Sequence, residues 1–177
     1  NDMNFTGTST QPRYNFGLNL SVAYKGFDFY MLWAGSAGFD LYWNHSSYNG
    51  TRTENGFGIS QRVADNHYFY NPENPSDSRT NITAKYPRIT DQTQRDNGTS
   101  SVFWKYKGDY VKLKNIQIGY TIPVKWTRKF MVEKLRFYFS GENLLTITSY
   151  PGLDPEMGTS ITYPLTRQFA FGAQLSF

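Results

Sequence analysis

Phe169–Phe177 reads FAFGAQLSF. Phe169, Phe171, Ala173, Leu175 and Phe177 fall on one side of an extended chain, and Ala170, Gly172, Gln174 and Ser176 on the other, because successive side chains of a strand point to opposite faces. One face is apolar and aromatic; the other is small and polar. A wall between lipid and water has this form, and so does one strand of a soluble sandwich. The fold is therefore decided by whether the rest of the chain repeats the pattern.

It does. Tyr14, Phe16, Leu18, Leu20, Val22 and Tyr24 alternate with Asn15, Gly17, Asn19, Ser21 and Ala23. Lys25-Gly26 then predicts a tight hairpin into a strand with Phe27, Phe29, Met31 and Trp33 on one face, less clean because Tyr30 and Leu32 lie opposite. From Tyr110 to Ile122, the residues Ile116, Ile118, Tyr120 and Ile122 stand against Gln117, Gly119 and Thr121. Lys112 and Lys114 share the isoleucine side in this count, so that end must stand above the apolar band or contain a β-bulge. Leu135, Phe137 and Phe139 alternate with Arg136, Tyr138 and Ser140. About five strands are predicted, each close to the ~9–11 residues a tilted strand needs to cross a bilayer.

The expected fold class is all-β, an antiparallel transmembrane β-barrel segment with long extracellular loops. Phe16, Leu18, Leu20, Phe29, Ile116, Ile118, Phe137, Phe139, Phe169, Phe171, Leu175 and Phe177 are the expected lipid-facing residues. Loop lengths agree with this class. With Phe177 at the inner side, the Lys25-Gly26 turn and the Pro123–Lys134 segment lie inside and are short, whereas Ser36 to Asp109 and Leu144 to Thr166 lie outside and are long. Short inner turns with longer outer loops characterise bacterial outer-membrane barrels. Tyr24, Tyr120, Trp126 and Phe177 at the inner strand ends, and Tyr14 and Trp33 at the outer, suit an interface where a ring is apolar but its polar edge seeks water.

Average composition conceals this pattern. A mean hydropathy of -0.60 and 38% hydrophobic residues resemble a soluble domain, and no stretch approaches the ~20 apolar residues of a spanning helix. In a barrel, half of each strand and all of the loops are polar, so the mean stays low; the 18% aromatic content is the informative number. The chain has no Cys, which removes disulfides and thiolate metal sites. Its net charge of +4 is modest. Part of that charge is Lys125, Arg128, Lys129 and Lys134, assigned to an inner turn, and no nucleic-acid motif accompanies it. Nucleic acid is therefore not an expected partner.

Residue 1 is Asn, and no charged and then apolar leader precedes the first strand. Five strands fall short of the roughly eight in the smallest common membrane barrels, and an open edge in lipid costs several kcal/mol for each unpaired backbone group. The expectation is that further strands are supplied by upstream sequence or by another chain.

Several ordered stretches resemble a known family. DYVKLKNIQIGYTIP (109–123), LRFYFSGENLLTITSYPGLDPE (135–156), YP (163–164) and the terminal FAFGAQLSF are similar to the C-terminal signature of SusC/RagA-type TonB-dependent outer-membrane transporters. PRYNFGLNLSVAYKGFDFYMLWAGSAGFD (12–40), and the PENP and YPR stretches between Pro72 and Arg88, resemble the preceding strands and external loop. The resemblance implies that residues 1–177 are the C-terminal portion of a barrel of roughly 22 strands, integral to the bacterial outer membrane with its C-terminus periplasmic. It also implies an N-terminal plug and earlier strands absent from this chain, a SusD-like surface lipoprotein partner, and energy from TonB through that missing part. Two transporter–lipoprotein pairs joined as a dimer are compatible with it. The implied activity is import of oligosaccharides or peptides. The alternative from a different class is a soluble β-sandwich, a carbohydrate-binding or adhesin module, whose apolar faces would pack on each other.

Covalent chemistry has no visible apparatus. No G-x-S-x-G elbow is present, and neither an enzymatic activity nor a cofactor is expected. Asp154 and Glu156, in GLDPE, offer oxygens for a cation or sugar hydroxyl, but Pro151, Gly152 and Pro155 around them read first as a rigid turn. His45 and His67 are far apart, lack the spacing of a zinc motif, and read as exposed loop residues. Gly56 and Gly58 lie in a polar loop and read as turn residues rather than a phosphate cradle. Asn4, Asn44, Asn49, Asn81 and Asn97 each begin an N-x-Ser/Thr triplet, as an Asn- and Thr-rich loop does by chance.

Functional contacts are expected in the long outer loop, because a connection of roughly 70 residues far exceeds the ordinary ~4–6. Trp43, Tyr48, Phe57, Tyr68, Phe69 and Tyr70 are its aromatic candidates for stacking on substrate or lying under the lipoprotein, with self-packing of the loop as the plainer account for each. Val102–Tyr106 is expected to pair with the start of the next strand through Lys107-Gly108-Asp109.

Overall fold

The computed structural model describes residues 7, 9–43, 58–89, 102–160, 163 and 165–177. It divides into two compact units, one of Asn1–Leu41 with Lys107–Phe177 and one of Tyr42–Tyr106. In chain order the elements are β1 (Tyr14–Tyr24), β2 (Phe27–Ala37), β3 (Asp40–Tyr42), α1 (Gln61–Asp65), β4 (Lys105–Lys107), β5 (Tyr110–Thr121), α2 (Val124–Thr127), β6 (Lys134–Thr148) and β7 (Gln168–Ser176). No helix among the described residues is long and apolar enough to cross a membrane.

The first unit is a five-stranded antiparallel sheet in the order β1-β2-β5-β6-β7. β1 covers the predicted Tyr14–Tyr24. Tyr24 pairs with Phe27 across a two-residue turn in which Lys25 and Gly26 both have positive φ, 48° and 88°. That geometry matches the right-handed twist of the flanking strands. β6 runs on to Thr148, past the end of its visible alternation, so the connection that follows begins at Ser149.

Register carries the alternation from strand to strand. One row across the sheet is Val22, Phe29, Ile118, Phe139 and Phe171, and the next is Leu20, Met31, Ile116, Gly141 and Phe169. Among the described residues no second layer covers this face. Leu18 is 61% exposed and Phe171 83%, where a sandwich would bury such rows. Phe29, Ile116 and Phe139 are half-buried by their neighbours on the same face; Phe139 lies beside Phe169 and Phe171 with ring centroids 6.1 and 4.8 Å apart.

Of the two alternatives for Lys112 and Lys114, the β-bulge is the one present, and it takes Lys112 off the isoleucine face. Leu32 pairs with Asn115 but Trp33 pairs with Leu113, so Lys114 has no counterpart on β2. A single unpaired residue inverts the parity of everything before it. Val111 and Leu113 join the apolar face, and Tyr110 and Lys112 turn to the polar one. On β6 the same irregularity is accommodated by Asn143 and Leu144 between the paired Glu142 and Leu145, with Asn143 at φ 53°.

One expectation fails. Val102–Trp104 is a 3-10 turn, and Lys105–Lys107 pairs with β3 in a separate two-stranded sheet rather than with β5. The second unit has a small core of its own, in which Val63 of α1 packs with Tyr86, Trp104 and Ile59. Trp104 and Tyr86 stack at 6.3 Å. Phe103 and Trp104 meet edge to face at 4.7 Å, and burying Trp104 in this core takes the segment away from a regular strand.

Candidate functional site

The polar face of the five-stranded sheet carries two fixed ion clusters. At the end of the short turns, Asp28 on β2 and Arg136 on β6 meet across β5. Arg136 Nε donates to Asp28 Oδ1 at 2.9 Å, and a terminal guanidinium nitrogen donates to Oδ2. The bridge passes over Gly119, which pairs with Asp28 on one side and Tyr138 on the other. A Cβ at Gly119 would lie 2.6 Å from the Asp28 carboxylate oxygens. Beyond it the Arg136 guanidinium is 5.1 Å from the Tyr138 ring, and that ring lies over Gly172, its cross-strand partner. Glycines on β5 and β7 thus let long side chains lie flat along the face. Gly119→Val is expected to displace the bridge and cost about 1–3 kcal/mol as an overpacked site, read as a lowered urea midpoint of the refolded full-length protein. An unchanged midpoint would show that the bridge does not depend on this close approach.

At the opposite end, Lys112 is 1% exposed. Its ammonium donates to Asp154 Oδ2 at 2.6 Å and to Glu156 Oε2 at 2.9 Å, and Lys114, the bulge residue, donates to the same Glu156 oxygen at 2.6 Å. Asp154 Oδ1 accepts the Glu156 backbone N–H at 2.9 Å and caps the 3-10 turn Pro155–Met157. Tyr150 is buried nearby in sequence, with its hydroxyl donating to the Gly158 carbonyl at 3.2 Å. The carboxylates of GLDPE are therefore engaged by two lysines and a turn, and they pin the β6–β7 connection to the polar face of β5. Burial pushes the Glu156 carboxyl up, but hydrogen bonds from Lys114 and Lys112 outweigh it and hold the group below the ordinary glutamate range.

The loop aromatics divide. Trp43 is 2% exposed, and its backbone N–H donates to the Trp104 carbonyl at 2.8 Å, so its ring is buried rather than offered to a ligand. Tyr68 and Tyr70 are exposed. Tyr48 and Phe57 lie outside the described residues, as do His45 and Gly56. His67 is half-buried rather than exposed, its Nδ1 2.6 Å from the Ala64 carbonyl. It helps to line a depression of about 560 Å³ with Asp65, Phe69, Arg79, Thr80 and Asn81. Arg79 lies 4.8 Å over the Phe69 ring and is bonded to Asp77 through Nε at 3.0 Å and a terminal nitrogen at 2.7 Å. Those bonds hold the Asp77 carboxyl down at about 2. Among the described residues no group of three or more His, Asp or Glu side chains is arranged to hold a metal ion.

No protein-family model matches the chain. TonB-dependent receptor P3 of Formosa agariphila is 30% identical over 181 residues, covering 94% of this chain and 16% of that protein. TonB-dependent receptor P26 of the same organism is 27% identical over 148 residues, covering 84% and 14%. The solved RagAB peptide importer in its "closed-closed" state superposes with a TM-score of 0.69 at 24% identity, over 96% of this chain and 18% of the matched one. The "open-open" state gives 0.68 with the same identity and coverage. The chain is thus similar to a segment of TonB-dependent receptors and shares the fold of the matching part of the RagAB importer.

The chain spans about a sixth of the length of the curated relatives it matches, 16% of the first. Its sheet is a stretch of barrel wall, and that explains features a lone domain would not tolerate. Among the described residues β1 and β7 are each paired on one side, and an open edge in a membrane must find a further strand. The apolar face is exposed because the wall needs no second protein layer. Two features of the sheet's polar face were not legible as partners in the sequence: Asp28 with Arg136, 108 positions apart, and Lys112 with Asp154 and Glu156. The only available signal was indirect, since two lysines in an otherwise apolar alternation demanded either a bulge or acidic neighbours.

Proposed function

We propose that residues 1–177 are the C-terminal portion of the barrel of an outer-membrane active importer for oligosaccharides or peptides. The N-terminal plug and earlier strands lie elsewhere in the same transporter, TonB supplies energy through them, and a SusD-like surface lipoprotein covers the outer loops. The short turns and the C-terminus face the periplasm, and two transporter–lipoprotein pairs assemble into a dimer. No covalent step takes place in this segment; its contribution is a wall that is apolar outside and polar inside, with loops held at its outer end.

One observation carries this reading. The rows through Ile118 and Ile116 are apolar and open on one face across all five strands, while the opposite face is polar and ion-paired. Kinship with TonB-dependent receptors adds the energy source. The test is uptake of labelled oligosaccharide and peptide mixtures by cells expressing the full-length protein, with and without TonB. Uptake of one class should depend on both proteins. Uptake that survives loss of TonB, or a full-length protein that stays monodisperse without detergent, would overturn the proposal.

A further inference from the structure

The connection between β5 and β6 combines features that a soluble turn avoids. α2 and the 3-10 turn Arg128–Phe130 occupy it, closed by Met131 at φ 56°. Trp126, Phe130 and Met131 are 59, 75 and 85% exposed. Among them sit Lys125, Arg128, Lys129 and Lys134 against one carboxylate, Glu133, so four cations less one anion leave +3 over residues 123–134. Large apolar side chains left in the open beside clustered cations mark an interaction surface rather than a solvated turn.

The patch has a cleft. A space of about 450 Å³ is lined by Val124, Met131, Val132 and Phe177 with Arg128 and Glu133 at its polar part. Its walls are tied together, because the Glu133 N–H donates to the Ser176 carbonyl at 2.9 Å and the Val132 N–H to the Thr127 carbonyl at 3.3 Å. Phe177 continues the alternation of Phe171, Ala173 and Leu175, so the cleft adjoins the apolar face of the wall.

We propose that this connection seats an anionic glycerophospholipid of the leaflet it meets. The acyl chain lies along Val124, Met131, Val132 and Phe177, and the phosphate is held by Arg128 with Lys125 and Lys129 beside it. The net positive charge selects an anionic headgroup, and the apolar cleft distinguishes a lipid from a soluble phosphate. A basic side chain beside an anionic membrane surface contributes about fivefold in affinity, and three contribute roughly a hundredfold. The inference rests on the barrel reading, which brings this turn to the membrane surface.

The experiment is native mass spectrometry of the full-length protein, solubilised and delipidated, titrated with phosphatidylglycerol or phosphatidylcholine. Wild type should retain phosphatidylglycerol preferentially, and the preference should collapse by about the hundredfold expected of three cations in Lys125→Gln/Arg128→Gln/Lys129→Gln. If that variant does not fold, as judged by heat-modifiable electrophoretic mobility, the wild type alone still decides: about 1 M salt should abolish its preference, because exposed charges are then screened within ~3 Å. Equal retention of both lipids by wild type, or a preference unmoved by the variant or by salt, overturns the inference. A protein that needs no detergent overturns the barrel reading itself, whereas a detergent-requiring protein with no lipid preference overturns this inference alone.

Discussion

Ile118→Arg is expected to destabilise the full-length protein in a phospholipid bilayer by about 1–3 kcal/mol. That lies between the ~2–4 kcal/mol of an Arg on the lipid face at mid-depth and the ~0–1 kcal/mol near an interface, because Ile118 lies two residues from Tyr120 towards the end of β5. Gln117→Arg, one residue away, is expected to cost little. The contrast follows from register. Ile118 sits in the row with Phe29 and Phe139, and Gln117 pairs with Tyr30 and Ser140 on the polar face. A guanidinium at 118 must be dragged out of hydrocarbon or distort the bilayer, whereas one at 117 lies on the polar face beside Tyr30 and Ser140. Equilibrium unfolding in lipid vesicles measures both. Equal effects at the two positions would mean that the two faces are not differently solvated, and the barrel assignment would fail with them.

Removing the buried ammonium of Lys112 is comparable in size. Lys112→Ala leaves Asp154 and Glu156 with a vacated partner at the polar face, and Lys114 compensates only Glu156. Breaking a fully buried pair costs ~3–5 kcal/mol; the two carboxylates here are 16 and 31% exposed, so about 2–3 kcal/mol is expected on the same principle. The β6–β7 connection should also become sensitive to protease, because its attachment to β5 runs through these groups. Neutralising all four members together, Lys112→Met and Lys114→Gln with Asp154→Asn and Glu156→Gln, should recover much of the loss, since the penalty comes from uncompensated charge. A quadruple variant as unstable as Lys112→Ala would contradict this account.

The same cluster sets a pH dependence. The folded Glu156 carboxyl titrates below its unfolded value. Such a group contributes stability that is fully present above the unfolded value and is lost as pH falls through the folded one. Attachment of the connection should therefore persist from neutral pH down through the ordinary glutamate range, and loosen only under stronger acid. Proteolysis of the connection across a pH series reads this directly. Release near neutrality would assign the attachment to another group.

Much of the wall was legible in the chain because its signal is local. Period-two alternation in Tyr14–Tyr24 and Phe169–Phe177 needs no knowledge of neighbours, and Lys25-Gly26 names its own turn. Where two elements compete for one segment, local reading fails. Val102–Tyr106 looks like a strand approaching β5, but Trp104 is worth more buried against Val63 and Tyr86 than exposed on a ladder. Trp43 and Tyr68 are both loop aromatics in the sequence, and only packing separates the buried one from the exposed one.

By itself the sequence determined a wall with an apolar side and a polar side, its strand direction and its turns, because hydropathy alternation and turn chemistry are properties of adjacent residues. Tertiary structure decided what lies on the polar side. The bulge at Lys114 shifts parity by one residue, which turns Lys112 from an apparent intruder among isoleucines into the anchor of Asp154 and Glu156, and Gly119 leaves room for Asp28 to reach Arg136. Those outcomes depend on strand register across the sheet, and register is fixed by pairing between segments far apart in the chain.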